Sequence, residues 1–311
     1  MAMTTLDLEK TLEKIKSRQW MLQDIDWDAP GAELVTEDQK PKLKVFMADL
    51  MWIEHLGARA FAGMAENAPN DTLREIYKYF HAEEQKHANA ELALMRRWGL
   101  LDGDEVPLPK AQIAYALDMV DKTADRMPFE YHATSIPMLE VALDGALLKF
   151  LTDEIKDPLL HVVLNKVNAD ESRHLAVGFH VMGMLSAAPA RRMLYVLFKG
   201  LSALGVVRLQ HLLGVLPLLA SMREELFDLG MDGSRLSASM ERYRKASVRD
   251  PRLNNNMMYK AVRAASFLTM ERNPVLASVE RALIRMGDRI PPERRPSPPS
   301  WSDELTWKAA V

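Results

Sequence analysis

The sequence contains no cysteine among its 311 residues. This excludes disulfide bonds, thiolate nucleophiles and cysteine-held zinc or iron–sulfur sites, and it is compatible with a reducing cytosol. Any metal ion bound by this chain must therefore be held by carboxylate and imidazole groups.

Long apolar runs are also missing. The most apolar stretch, residues 193–222, is interrupted by Lys199, Arg208, His211 and Pro217, which argues against a membrane-spanning helix. We interpret this stretch as a buried helix pair or as one that faces a second copy in a homodimer. Peripheral contact with a membrane surface is the alternative interpretation.

A strong charge of either sign is absent as well. The formal net charge is −3 and the sequence pI is about 6.3, so no general attraction to nucleic acid is expected. The locally basic stretch 241–263 is interpreted as a solvated helix face. The first twenty residues lack the apolar segment of a signal peptide, and we expect a cytoplasmic protein.

Clusters of β-branched residues are sparse, and helical periodicity dominates the chain. The sequence therefore predicts an all-α protein. Pro128 and Pro137 are expected to bracket an irregular or kinked entry to the third long helix. The four long helices are predicted at about 38–66, 71–98, 138–153 and 158–186.

A crossover helix at about 110–127 should connect the second long helix to the third. Four long helices with one long connection form the layout of a ferritin-like bundle. An N-terminal helical extension, the bundle, a C-terminal helical extension and a proline-rich tail are predicted at residues 1–37, 38–186, 187–290 and 291–311.

One motif occurs twice, as AEEQKH at 82–87 and as ADESRH at 169–174. Glu and His three positions apart lie on one helix face, so each motif presents a carboxylate and an imidazole to the same point. Two further acids precede the motifs by similar intervals of 30 and 31 residues, which suits two antiparallel helix pairs. The predicted ligands are Glu54, Glu84, His87, Glu140, Glu171 and His174. Four carboxylates and two imidazoles suit two divalent cations, which would compensate for burying the acids.

The residue before each repeated Glu is also acidic. Glu83 and Asp170 are predicted to accept the free ring N–H of the His in the opposite motif and so to fix its tautomer. Lys86 and Arg173 would in turn pair with these two acids.

Two further acids have open roles. Asp144 lies one turn after Glu140, so it could replace Glu140 as a ligand, support it from behind, or donate a proton. Glu91 lies one turn after His87, where it faces either the metal ions or the helix surface.

The motif pair resembles the ribonucleotide-reductase-like branch of the ferritin-like superfamily, especially acyl-carrier-protein desaturases and the catalytic subunits of bacterial multicomponent monooxygenases. The resemblance covers about residues 54–180. It implies two iron ions, with a manganese–iron pair as the alternative, and O2 as co-substrate. It also implies electrons from a reductase or ferredoxin, and a hydrophobic small-molecule or carrier-bound substrate that is hydroxylated, desaturated or N-oxidised.

The same resemblance leaves two other functions open. One is a ferritin-like ferroxidase, although more than a hundred residues after the second motif exceed what such subunits need. The other is a ribonucleotide reductase small subunit, whose radical Tyr would lie where this chain has Glu91; the nearest Tyr on that face is Tyr77. Some related N-oxygenases carry an extra His where this chain has Val167, which weakens that reaction subtype.

Small residues share a face with the predicted ligands. They leave space for an apolar substrate pocket or simply allow helices to approach closely. These residues are Gly57, Ala58, Ala88 and Gly178.

Overall fold

The computed structural model describes residues 6–185, 217–236 and 274–298, together with a few single positions between them. The regular structure of this part is helical, which confirms the predicted all-α class. None of its helices combines the length and apolar character needed to cross a bilayer. The apolar run 193–222 and the basic stretch 241–263 lie mostly outside the described residues, so their interpretations stay predictions.

The N-terminal segment forms a short helix, α1 (Leu8–Ser17). The side chain of Asp7 accepts a hydrogen bond from the backbone N–H of Lys10 at 3.2 Å and so caps the helix. Leu12 and Ile15 are buried and fix α1 on the bundle.

Four long helices make up the bundle. The second and third of them are joined by the crossover helix α4 (Ala111–Thr123). The four long helices are α2 (Lys40–Glu66), α3 (Asp71–Arg97), α5 (Phe129–Glu154) and α6 (Pro158–Leu185). Helix α2 pairs with α3 and α5 pairs with α6, while contacts of α2 with α5 and of α3 with α6 join the two pairs. This is the predicted ferritin-like arrangement.

The helix ends follow local sequence signals. Asn70 caps α3 by accepting a hydrogen bond from the Leu73 N–H at 2.9 Å. The buried Asp157 lies just before α6 and accepts hydrogen bonds from Arg97 Nε and Trp98 Nε1, both at 2.8 Å. The start of α6 is therefore tied to the end of α3.

The predicted start of the third long helix is wrong. Helix α5 begins at Phe129, directly after Pro128, and continues through Pro137. Proline is tolerated before a helix because its missing N–H would be unpaired there in any case. The interior Pro137 packs its ring against Gly178 of α6, where a Cβ atom would lie 2.4 Å from Pro137 Cγ.

Two helices that follow the bundle are described. Helix α7 (Leu218–Asp228) packs against α2, and helix α8 (Pro274–Asp288) packs against α4. Both agree with a helical C-terminal extension in the parts of 187–290 that the structure describes. The division of the chain into four regions remains a prediction.

The apolar core consists of two clusters, one toward each end of the bundle. Helix α2 contributes residues from 43–52 to the first cluster and from 60–65 to the second. Helix α3 runs in the opposite direction and contributes residues from 73–80 to the second cluster and from 88–95 to the first. Each long helix therefore passes from one apolar cluster to the other, and the predicted ligands lie between them.

Candidate metal centre

The structure brings all six predicted ligands together from four different helices. They form two groups in which one ligand atom from each residue lies within 4.8 Å of the others. The first group is Glu54, Glu84, His87 and Glu171, and the second is Glu84, Glu140, Glu171 and His174. Glu84 and Glu171 belong to both groups, so each could bridge two neighbouring ions.

Both imidazoles point Nδ1 toward this cluster. His87 Nδ1 lies 3.1 Å from Glu171 Oε1 and 3.6 Å from Glu54 Oε2. His174 Nδ1 lies 3.0 Å from Glu84 Oε1 and 3.3 Å from Glu171 Oε2. Each group therefore offers three carboxylates and one ring nitrogen to a shared point.

The atoms that face this point are buried and lack hydrogen bonds. They include both carboxylate oxygens of Glu140 and Glu171, Oε1 of Glu84, and Nδ1 of both imidazoles. Buried polar atoms are nearly always hydrogen-bonded, because leaving them unpaired costs free energy. So many unpaired atoms at one place indicate a missing partner that accepts several lone pairs, as a metal ion does.

The acids that precede the repeated Glu residues contact the other ring nitrogen, Nε2, of each imidazole. Asp170 Oδ2 lies 3.1 Å from His87 Nε2, and Glu83 Oε2 lies 2.9 Å from His174 Nε2. Each acid thus contacts the His of the other motif, in the crossed arrangement that the sequence predicts. When each acid accepts a hydrogen bond from Nε2–H, the Nδ1 lone pair is left free for a metal ion.

Two basic side chains balance these acids. Arg173 Nη2 donates to Glu83 at 2.9 Å and also contacts Asp170. Lys86 Nζ lies 3.5 Å from Asp170 Oδ2. Both basic residues are buried, so the acids stay ionised away from solvent.

Sequence reasoning missed two residues that donate hydrogen bonds to these acids, Gln19 and Trp20. Trp20 Nε1 donates to Asp170 Oδ2 at 2.8 Å, and Gln19 Nε2 donates to Glu83 Oε1 at 2.6 Å. The Trp20 ring also stacks on the His87 ring, with centroids 6.4 Å apart. Because the two contacts span 150 and 64 residues of sequence, local periodicity carries no signal for them.

Burial and the neighbouring carboxylates shift the pKa values of the acids in the cluster. Burial raises the pKa of Glu84 well above its usual range, and the charges of Glu171 and Glu54 add to the effect. Burial likewise raises the pKa of Glu140 to about 8, with Glu171 again contributing. Two of the four carboxyl groups therefore favour the protonated form.

The pKa values of both imidazoles are raised as well, although burial acts against this. Burial alone would lower the pKa of His87, but the hydrogen bond with Asp170 and the close carboxylates of Glu171 and Glu54 raise it well above its usual range. Burial also opposes the protonated form of His174, but the charge of Glu171 together with the contacts to Glu83 and Glu84 outweighs it, so the His174 pKa is raised as well. Protons thus occupy the positions where divalent cations would supply positive charge.

Asp144 and Glu91 were the acids with open roles. The backbone of residue 144 lies in α5, but its side chain is outside the described part of the structure. Only Glu140 can therefore be placed relative to the cluster. Glu140 joins the second group. Glu91 is buried beside the cluster, not on the helix surface.

The glycines that were predicted to line a substrate pocket are closely packed. A Cβ atom at Gly57 would lie 2.8 Å from Glu84 Oε2, and one at Gly178 would lie 2.4 Å from Pro137 Cγ. Ala58 and Ala88 are fully buried. Gly57 and Gly178 therefore allow close approach of their neighbours, and a substrate pocket beside these small residues stays a prediction.

Comparison with known proteins gives only distant matches. No protein-family model matches this chain, and no curated protein matches its sequence. One solved structure that it resembles is a mutant of R2-like ligand-binding oxidase with an aerobically reconstituted Mn/Fe cofactor; identity is 14%, the TM-score is 0.48, and the alignment covers 84% of this chain and 93% of that one. Another is a mutant of R2-like ligand-binding oxidase with an Fe/Fe cofactor, at 14% identity and a TM-score of 0.39, covering 89% and 93%. Similarity this distant says nothing of the reaction that this chain performs.

Proposed function

We propose that the chain is an oxidase or oxygenase that uses O2 at a non-haem two-metal centre. The observation that carries this proposal is the pair of ligand groups that share Glu84 and Glu171 at one buried point. Two shared carboxylates would suit a pair of neighbouring ions, an arrangement that a single-ion site does not need.

The donor set fits iron, with manganese as the alternative in one position. Carboxylate oxygen and imidazole nitrogen suit both metals, and the cysteine-free sequence offers no softer ligand. Four carboxylates would neutralise two divalent ions. When bound, the metal pair would supply the redox chemistry by which O2 oxidises a nearby bond.

The chain's own residues would prepare this chemistry. Glu83 and Asp170 hold each imidazole with Nδ1 directed at the metal positions. The two apolar clusters that flank the ligands exclude water from the site, which protects a reactive centre from side reactions.

The substrate and the electron donor are further proposals. A largely hydrophobic small molecule or carrier-bound chain fits an apolar interior, and hydroxylation, desaturation and N-oxidation are all compatible with these ligands. Electrons would come from a separate reductase or ferredoxin. A ferroxidase would use the same ligands, so the fate of O2 and of the iron separates the two functions.

Metal analysis of reconstituted protein tests the proposal. We expect about two iron ions per chain, and loss of both in the double variant Glu84→Ala/Glu171→Ala. The control is Glu75→Ala on the same helix, where Glu75 forms a surface ion pair with Lys78 at 2.7 Å and does not contact the cluster. The reduced iron protein should consume O2 in the presence of an added reductant without releasing mineralised iron.

Three results would overturn the proposal. Fewer than one ion per chain would show that the protein has no two-metal centre. Unchanged stoichiometry in the double variant would show that the ions bind somewhere other than at Glu84 and Glu171. Iron that accumulates as a mineral core beyond the two bound ions would favour the ferroxidase.

A further inference from the structure

Glu91 is a buried acid with no described partner. It lies on α3 one turn after His87, and its side chain is 1% exposed. Neither of its carboxylate oxygens makes a hydrogen bond. A carboxylate in this position is costly unless a cation or a donor reaches it.

The surroundings of Glu91 point to one of the two ligand groups. Burial raises the pKa of Glu91 well above its usual range, and the charged groups that act on it are Glu54, His87, Glu84 and Glu171. These four residues are the members of the first ligand group. Glu91 therefore lies beside the metal position that this group defines.

We propose that Glu91 is a fifth carboxylate ligand of the candidate metal centre and completes the coordination of the ion held by Glu54, Glu84, His87 and Glu171. This inference rests on the proposed two-metal function. Glu91 is not among the residues whose ligand atoms lie within 4.8 Å of one another, so binding requires its side chain to rotate toward the group. Residues at i and i+4 are neighbours on a helix face, which puts that rotation within reach of the ion beside His87.

A fifth carboxylate makes the two metal positions unequal. The first position would have four carboxylates and one imidazole, and the second would have three carboxylates and one imidazole. Additional anionic oxygen favours the harder ion, so the first position should hold the harder or more highly charged ion of a mixed pair.

Cobalt(II) titration of the metal-free protein tests the proposal, because the visible absorption of Co(II) reports its coordination. Two variants separate ligation from charge: Glu91→Gln removes the charge, whereas Glu91→Asp keeps it and shortens the side chain. Glu75→Gln on the same helix is the control for the loss of one acid. Thermal melting of each metal-free variant checks its fold.

We expect the parent to bind two Co(II) ions and Glu91→Gln to bind one of them about tenfold or more weakly. The Co(II) spectrum of the weakened site should change in both Glu91 variants, and Glu75→Gln should match the parent. Should Glu91→Gln fail to fold, the spectrum of Glu91→Asp decides alone.

Other outcomes overturn the inference in distinguishable ways. Parental affinity and spectrum in both variants would show that Glu91 is a neutral core residue. Weaker binding in Glu91→Gln with an unchanged spectrum in both variants would reduce its role to charge. In each of these cases the two-metal function stands, whereas a parent chain that binds no Co(II) removes the function and this inference together.

Discussion

At the scale of single residues, the ligand cluster depends on what is absent as much as on what is present. Gly57 is an interior residue of α2, where glycine costs about 1 kcal/mol relative to alanine. Its missing side chain leaves room for the carboxylate of Glu84, a member of both ligand groups. We infer that Gly57 is a positioning residue for Glu84.

Gly57→Ala should therefore weaken metal binding without unfolding the protein. Helix propensity alone would raise the stability of the variant by about 1 kcal/mol, whereas the added methyl group pushes the Glu84 carboxylate aside. We expect an affinity loss of about tenfold for Co(II), measured by titration, with no drop in the melting temperature. Gly233→Ala is the control, because nothing lies within 4 Å of a Cβ atom at that position.

A double-mutant cycle makes the Gly57 prediction specific. In a Glu84→Asp background the shorter acid leaves the space open, so adding Gly57→Ala should have little further effect on Co(II) binding. Equal losses in both backgrounds would mean that Gly57 acts on the helix and not on Glu84.

At the scale of the helical elements, pattern and caps determined most of what the sequence could predict. Helices α2, α3 and α6 begin and end within about two residues of their predicted bounds, because periodicity and capping signals are local. The predicted start of α5 was wrong because the helix continues through Pro137. The Pro137 ring packs against Gly178 of α6, a tertiary contact that the local sequence does not show. The contacts of Gln19 and Trp20 were missed for the same physical reason, since only the tertiary structure creates them.

The junction between α4 and α5 contains a titratable group that should set part of the pH dependence of stability. His132 is buried near the start of α5, and burial lowers its pKa to about 4. Because the unfolded imidazole has a pKa near 6.5, the unfolded state binds more protons than the folded state at intermediate pH. The stability present above about pH 6.5 should be lost as the pH falls toward 4, by roughly 3 kcal/mol in total from this residue.

Urea unfolding at several pH values measures this effect. The variant His132→Phe should lose less stability than the parent between about pH 6.5 and pH 4, since it has no imidazole to protonate. Tyr131→Phe, at the adjacent position, should keep the parental pH dependence. Identical slopes for His132→Phe and the parent would show that His132 is not held neutral in the folded state.

At the scale of the whole molecule, the two apolar clusters explain how four helices keep charged residues inside. Each long helix is apolar where it crosses a cluster and carries its ligands in the short interval between. The sequence revealed these intervals because the repeated motifs share one spacing. It could not reveal the hydrogen bonds from Gln19 and Trp20 to the acids behind the imidazoles. The position of this N-terminal segment depends on α1 packing against α3.

Enclosure between these clusters also links metal binding to protons. The ligands are buried, so protons balance part of their negative charge. The pKa values of Glu84, His87 and His174 are raised, and that of Glu140 is raised to about 8. A metal ion binds only the deprotonated forms of these groups. Binding of two divalent ions near neutral pH should therefore release protons, and the apparent affinity should fall as the pH falls from about 8 to about 6.

Calorimetric titration with Co(II) in two buffers of different ionisation enthalpy measures the proton count directly. We expect a net release of more than one proton per chain near neutral pH, because at least four ligand groups have raised pKa values. The variant Glu140→Gln lacks one of these protons, so its release should be smaller than that of the parent. Binding heats that do not depend on the buffer would show that the ligands are already deprotonated, and that Arg173 and Lys86 alone balance the buried charge.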